Sequence, residues 1–158
     1  MCGIAGIIGL NTIKSEPIIN NMIQAIKHRG PDAEGVFIND GVALGHKRLS
    51  IIDLTNGANQ PFYDETNNFV IVFNGEIYNY PEIRSFLQNK GYRFSTQSDT
   101  EVILAAYDYW KEKCLQQLDG MFAFAIWDTL QKKLTLCRDR MGVKPLYYCI
   151  YKNTLFFA

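Results

Sequence analysis

Residues 69–76 read Phe69-Val70-Ile71-Val72-Phe73-Asn74-Gly75-Glu76, and this stretch decides the fold. Its first five residues are aromatic or β-branched with no polar face, which predicts a strand covered on both sides. Such a strand needs a layer above and a layer below, so the expected architecture is layered α+β with sheets in the middle. The tripeptide Asn74-Gly75-Glu76 follows the strand directly. Asn74 carries an amide donor, and Gly75 leaves its N–H open to close approach, so together they could form an oxyanion hole. Asn-Gly is also the commonest turn dipeptide, and on its own the segment reads as a hairpin turn.

Other segments extend the layered reading. Gly3 to Gly9, Gly35 to Ile38, Val42 to His46, Leu134 to Cys137, Leu146 to Tyr151 and Leu155 to Phe157 read as strands. Asn39-Asp40-Gly41 forms a turn between two of them. Phe122 to Trp127 alternates large and small apolar residues, as suits a strand packed between layers. Three helices are predicted. The first follows Ser15, with Pro17 in its first turn and Ile19, Met22, Ile23 and Ile26 on one face. The second begins near Pro81 and stops at Gly91. The third opens on Ser98-Asp99-Thr100-Glu101, a capping-box spacing. One apolar face on the first and third predicts that they lie outside the sheets.

Composition narrows the class. The 158 residues carry 16 Lys+Arg against 16 Asp+Glu, are 20% charged, and include ten Phe, nine Tyr and two Trp. That is a chain able to build a core, not a disordered one, and its length predicts one domain. A formal charge of zero without basic runs argues against nucleic-acid or membrane-surface partners. No apolar stretch approaches the ~20 residues of a bilayer span, and the apolar start lacks a basic leader. Cys2, Cys114, Cys137 and Cys149 form no C-x-x-C pair, and His28 and His46 lack ligand spacing, so no metal site is expected. A cytoplasmic globular domain is the expectation.

Three residues outside the tripeptide could carry chemistry. Cys2 reads as a small buried hydrophobe, the usual fate of a cysteine. If Met1 is removed, however, its own α-amine becomes a general base beside its thiol. Arg48 interrupts an apolar region. It could clamp a carboxylate, but in isolation reads as solvated. Asp99 is most simply a favourable charge in a helix first turn, and could pair with a ligand ammonium.

Taken together, MCGIAGI (1–7), HRGPD (28–32), GHKRLSIIDL (45–54), FNGEIYNY (73–80), SDTEVIL (98–104), GMFAFAIWD (120–128) and RDRMGVKPLYY (138–148) resemble the N-terminal glutaminase domain of glutamine-hydrolysing asparagine synthetases. These are class II glutamine amidotransferases. The resemblance implies the N-terminal-nucleophile hydrolase fold, a four-layer αββα sandwich of two antiparallel sheets between helices. It implies Cys2 as nucleophile with its α-amine as base, and Asn74 and Gly75 as the oxyanion hole. Arg48 would hold the glutamine carboxylate, Glu76 and Asp99 its ammonium, and the backbone of Ile51 and Ile52 would contact the substrate. Arg29, a neighbour of the nucleophile, stays outside the catalytic set.

The family's ammonia passes to a synthetase domain that uses ATP and Mg to convert aspartate to asparagine. That domain's S-G-G-x-D-S loop has no match here, and the chain closes within a strand-like segment. Residues 1–158 are therefore read as an amidotransferase domain of a longer enzyme, needing no cofactor itself. Glutamine and the synthetase domain are the expected partners, with a homodimer as a further candidate. Two alternatives stand beside this: a different acceptor, such as a sugar or cell-envelope precursor, or a catalytically silent docking domain.

Overall fold

The computed structural model describes residues 2–39 and 41–158. Met1 and Asp40, the latter in the expected turn, lie outside the described residues. The strands are β1 (Gly3–Ile8), β2 (Ala33–Asn39), β3 (Val42–Arg48), β4 (Phe62–Tyr63), β5 (Phe69–Ile77), β6 (Gly120–Asp128), β7 (Lys133–Arg138), β8 (Tyr148–Tyr151) and β9 (Thr154–Phe157). The α-helices are α1 (Thr12–Ala25), α2 (Tyr80–Asn89) and α3 (Asp99–Trp110). One sheet has the order β2-β3-β1-β9-β8, the other β4-β5-β6-β7. All their pairings are antiparallel.

Alternation along the strands sorts side chains into three apolar layers. Ala5, Ile7 and Ala43 face α1, where they meet Ile19 and Ile23. Ile4, Val42 and Leu44 point the other way, toward Val70, Val72, Ala123 and Ala125 of the second sheet. Phe69, Ile71, Phe73, Phe122 and Phe124 face α2 and α3. The result is helix, sheet, sheet, helix: the expected αββα sandwich. The small–large alternation of β6 has a plain function here. Ala123 and Ala125 face the inter-sheet layer, joined at the strand's end by Trp127, while Phe122, Phe124 and Ile126 fill the helix side.

Four local expectations are corrected. The tripeptide Asn74-Gly75-Glu76 is not a turn but lies inside β5, where Gly75 pairs with Phe122 of β6. The two backbones approach so closely that a Cβ on Gly75 would lie 2.3 Å from the Met121 carbonyl oxygen. Glycine is there for packing, and the strand runs on to Ile77. Helix α1 starts before Ser15, because Asn11 caps it by accepting the Lys14 N–H. Pro17 is therefore inside the helix, and the carbonyl its missing N–H would have served belongs to Ile13, itself exposed. Helix α3 does not show a single apolar face. Its residues from Asp99 to Leu104 are all buried, since α2 and the segment before Ser98 cover the side away from the sheet.

The capping box of α3 is half formed. Ser98 Oγ accepts the Glu101 N–H, but the Glu101 carboxylate turns to the N–H groups of Ser95 and Thr96 at 2.8 Å each. The Ser98 N–H goes to Thr96 Oγ1 instead. This fixes the turn from which Asp99 departs.

Phe124 is fully buried and stacks on Phe122 with ring centroids 5.6 Å apart. Phe124→Ala should cost about 3–5 kcal/mol in urea unfolding, and a loss under about 1 kcal/mol would contradict this packing.

Candidate active site

The same alternation that builds the inter-sheet core builds a pocket at its end. Moving along β1 from Ile4 gives Cys2; along β3 from Val42 and Leu44 gives His46 and Arg48; along β5 from Val70 and Val72 gives Asn74 and Glu76. On each strand the parity is unchanged and only the chemistry changes, from apolar to polar. Register completes the arrangement. Gly3 lies opposite Lys47, so Cys2 stands beside Arg48. One pocket is lined by Cys2, Arg48, Ile51, Ile52, Asn74, Gly75, Glu76 and Asp99. Every site residue expected from the sequence is brought together there.

The Cys2 thiol is half-buried and caught between backbone groups. The Leu49 N–H donates to Sγ at 3.4 Å, and the thiol donates to the Leu49 carbonyl at 3.6 Å. Burial pushes the thiol up, against the Leu49 N–H and the Arg48 charge. A buried thiol of this kind needs an adjacent proton acceptor before it can attack. Arg29 Nε donates to the Cys2 carbonyl at 3.3 Å, which fixes the residue's backbone.

The edge of β5 away from β6 presents backbone donors toward the pocket. In an antiparallel strand, N–H and C=O of one residue share a side, and alternate residues share that side. Phe73 and Ile77 direct their amides away from β6: the Phe73 N–H goes to Gln60 Oε1 at 2.6 Å and the Ile77 N–H to Asp99 Oδ2 at 3.1 Å. Gly75 lies between them with the same parity, so its N–H faces the pocket. Beside it, the Asn74 side chain is 3% exposed and its Oδ1 has no partner among the described residues. An unpaired buried acceptor of this kind costs on the order of 1–3 kcal/mol, and only a donor can satisfy it.

Arg48 corrects the solvated expectation: it is 6% exposed. Its parity on β3 aims it inward, and the following loop folds over it. Nη1 donates to the Thr55 carbonyl at 2.8 Å and to Asn59 Oδ1 at 2.7 Å, and Nη2 donates to the Asp53 carbonyl. The Asp53 carboxylate in turn accepts from the Thr55 hydroxyl and N–H and from the Gln97 N–H, which holds it below the usual range. The loop is thus tied both to Arg48 and to the turn before Asp99. Asp99 is buried, and that burial raises its carboxyl to about 6, with the Glu76 charge adding in the same direction. Ile51 is 65% exposed at the pocket mouth, while Ile52 and Glu76 are half-buried.

Three residues of the site escaped the sequence reading. His46 Nε2 lies 3.1 Å from the Phe73 carbonyl oxygen; a carbonyl only accepts, so Nε2 carries the proton. This bond joins the two sheets beside the pocket, and burial lowers the imidazole to about 4, keeping it neutral. Gln60 fills the β5 edge where β4 has ended. Lys144 is buried in the pocket wall. The parity of His46 with Val42 and Leu44 could have revealed the first; Gln60 and Lys144 arrive from loops and carry no such signal. Among the described residues, no group of three or more His, Cys, Asp or Glu is placed to hold a metal, and no helix is long and apolar enough to cross a membrane.

Comparison with known proteins gives a consistent picture. A family model described as "Glutamine amidotransferase domain" matches residues 1–158. Asparagine synthetase [glutamine-hydrolyzing] 1 of Bacillus subtilis is 47% identical across the whole chain, which covers 26% of that protein. Asparagine synthetase [glutamine-hydrolyzing] 2 of the same organism is 44% identical, again across the whole chain and 21% of its length. The chain thus spans about a quarter of the length of these relatives. Among solved structures, the glutamine phosphoribosylpyrophosphate amidotransferase of B. subtilis, complexed with ADP and GMP, superposes with a TM-score of 0.81 at 21% identity. That match covers 99% of this chain and 41% of the other, and shows the shared fold.

The Asp99 carboxyl is the most accessible check on the site's electrostatics. Its 13C NMR titration should have a midpoint near pH 6, above its ordinary value of 3.8. Because the folded state then binds the proton more tightly than the unfolded one, Asp99 makes the fold less stable as pH rises from about 4 to 6. A midpoint near the ordinary value would contradict the burial described.

Proposed function

The chain belongs to the glutamine amidotransferase domain family, and from that premise we propose that it hydrolyses glutamine to glutamate and ammonia through a thioester on Cys2. The observation that carries this reading is the convergence of the Cys2 thiol, the Asn74 amide and the pocket-facing Gly75 N–H at the rim of the inter-sheet layer.

Removal of Met1 frees the Cys2 α-amine, whose pKa of ~7.7–8.0 suits a general base near neutral pH. The amine takes the thiol proton, and the sulfur attacks the glutamine side-chain carbonyl carbon. The oxyanion that forms accepts from Gly75 N–H and the Asn74 side-chain amide. The protonated amine returns its proton to the departing nitrogen, the C–N bond breaks, and ammonia leaves a γ-glutamyl thioester. Water, deprotonated by the same amine, attacks the thioester, and the sulfur leaves with a proton to regenerate the thiol.

The zwitterionic end of glutamine fits the remaining groups. The Arg48 Nε–H is not used by any described residue, so the guanidinium keeps a donor edge for the carboxylate. Asp99 and Glu76 offer carboxylates to the ammonium, and the backbone at Ile51 and Ile52 closes the mouth. Ammonia would pass to the remainder of a longer chain, where ATP and Mg serve the conversion of aspartate to asparagine. The length of the synthetase relatives supports that assignment. This domain itself needs no cofactor, and the cytoplasm is its proposed location.

With Met1 removed, the chain should release glutamate from glutamine, and Cys2→Ala should abolish release while retaining glutamine binding. Asn74→Ala should lower kcat by about 10²–10³-fold. Unchanged glutamate release in the Cys2 variant would overturn the reading. Calorimetric binding of glutamine to Cys2→Ala should weaken as pH falls through about 6, because protonated Asp99 no longer attracts the ammonium. Asp99→Asn should bind weakly at every pH.

A further inference from the structure

The loop between β7 and β8 contains a charged residue that the mechanism above does not use. Met141 and Val143 on this loop are exposed, yet Lys144 is 1% exposed, among the largest fully buried side chains of the molecule. Burying an ammonium is costly, and such groups persist where other charges face them. Lys144 lines the same pocket as Cys2 and Glu76.

Its placement is enforced by a dedicated clamp. The Asp139 carboxylate accepts the Lys144 and Val143 N–H groups at 2.9 Å each, and it also accepts the Phe122 N–H of β6 at 3.2 Å. Arg138 Nε donates to the Lys144 carbonyl at 2.6 Å, and its Nη2 donates to the Gly142 carbonyl at 2.7 Å. Both backbone groups of Lys144 are therefore pinned, one of them to the same anchor as the strand that backs Gly75. An exposed loop held this tightly at one inward-facing residue positions that residue rather than merely closing a turn.

We propose that Lys144 is a positioning residue of the site, whose buried ammonium stabilises the Cys2 thiolate once the α-amine has taken the thiol proton. This rests on the reading of Cys2 as the nucleophile. The charges facing Cys2 come from three sides: Arg48 from β3, Asp99 from α3, and Lys144 from the loop. Those facing Lys144 are Arg29, Asp139, Glu76 and Cys2. Burial and Arg29 lower its affinity for a proton; Asp139, Glu76 and Cys2 oppose them. The same cation also disfavours protonation of the neighbouring α-amine, which keeps that base available. The Arg48 charge also acts on the thiol, but its Nη atoms are held by the loop; Lys144 brings a second cation to the same pocket.

The test uses the chain with Met1 removed, and compares it with Lys144→Met, Lys144→Gln and Lys144→Arg. Iodoacetamide alkylation is followed from pH 5 to 10. Peptide mass spectrometry locates the label, since Cys137 and Cys149 are also free thiols. In the two neutral variants the midpoint of Cys2 alkylation should rise by about one unit or more. Their kcat for glutamine should fall about tenfold, with KM changed less than threefold. Lys144→Arg, which keeps the charge but cannot act as a base, should retain the original midpoint. An unchanged midpoint in whichever neutral variant folds would overturn the proposal. So would a raised midpoint in folded Lys144→Arg, which would make the lysine a base rather than a fixed cation. Failure of the underlying reading looks different: wild-type chain fully alkylated at Cys2 would still turn over glutamine.

Discussion

Two sheets packed face to face must each present one parity of side chains to the shared layer, and this constraint organises both the stability and the chemistry of the molecule. Ile4, Val42, Leu44, Val70 and Val72 give that layer its apolar body. Cys2, Arg48, Asn74 and Glu76 continue the same rows to the rim. Cys2, Arg48, Asn74 and Glu76 are thus carried on or next to strands that the core already holds rigid. A slip of one residue in β1, β3 or β5 would turn its functional side chains out of the site together with its core side chains. Folding and the assembly of the pocket therefore depend on one register.

The short β4 leaves part of the β5 edge open, and this is the second condition for a site. An open edge is ordinarily a liability, with N–H and C=O groups seeking partners. Here side chains close it selectively. Gln60 takes the Phe73 N–H, His46 donates to the Phe73 carbonyl, and Asp99 takes the Ile77 N–H. Gly75 alone keeps its N–H directed at the pocket. The neutral state of His46 suits this role, since a buried imidazolium would add a cation beside Arg48 without a counter-charge.

The layered fold was legible in the sequence because FVIVF cannot be a strand with a wet face, and because FAFA assigns small side chains to one side and large ones to the other. The resemblance over seven segments named the site residues, and all of them line one pocket. What the local reading missed has a common physical cause. Asn74-Gly75-Glu76 has the composition of a turn, but tertiary pairing with β6 keeps it extended. Arg48 looks solvated only until a loop from farther along the chain supplies carbonyl partners. Lys144 and Gln60 reach the pocket from loops, where no periodicity indicates which way a side chain points.

In the proposed reaction glutamine lies with its amide carbonyl at the Gly75 and Asn74 donors, beside Cys2, and its zwitterionic end between Arg48 and Asp99. A crystal structure of the Met1-processed Cys2→Ala chain with glutamine bound tests it most directly. The amide oxygen should lie about 3 Å from the Gly75 nitrogen and from the Asn74 side-chain nitrogen, with the carboxylate on Arg48. Glutamine bound outside this pocket, or reversed with its amide at Arg48, would contradict it.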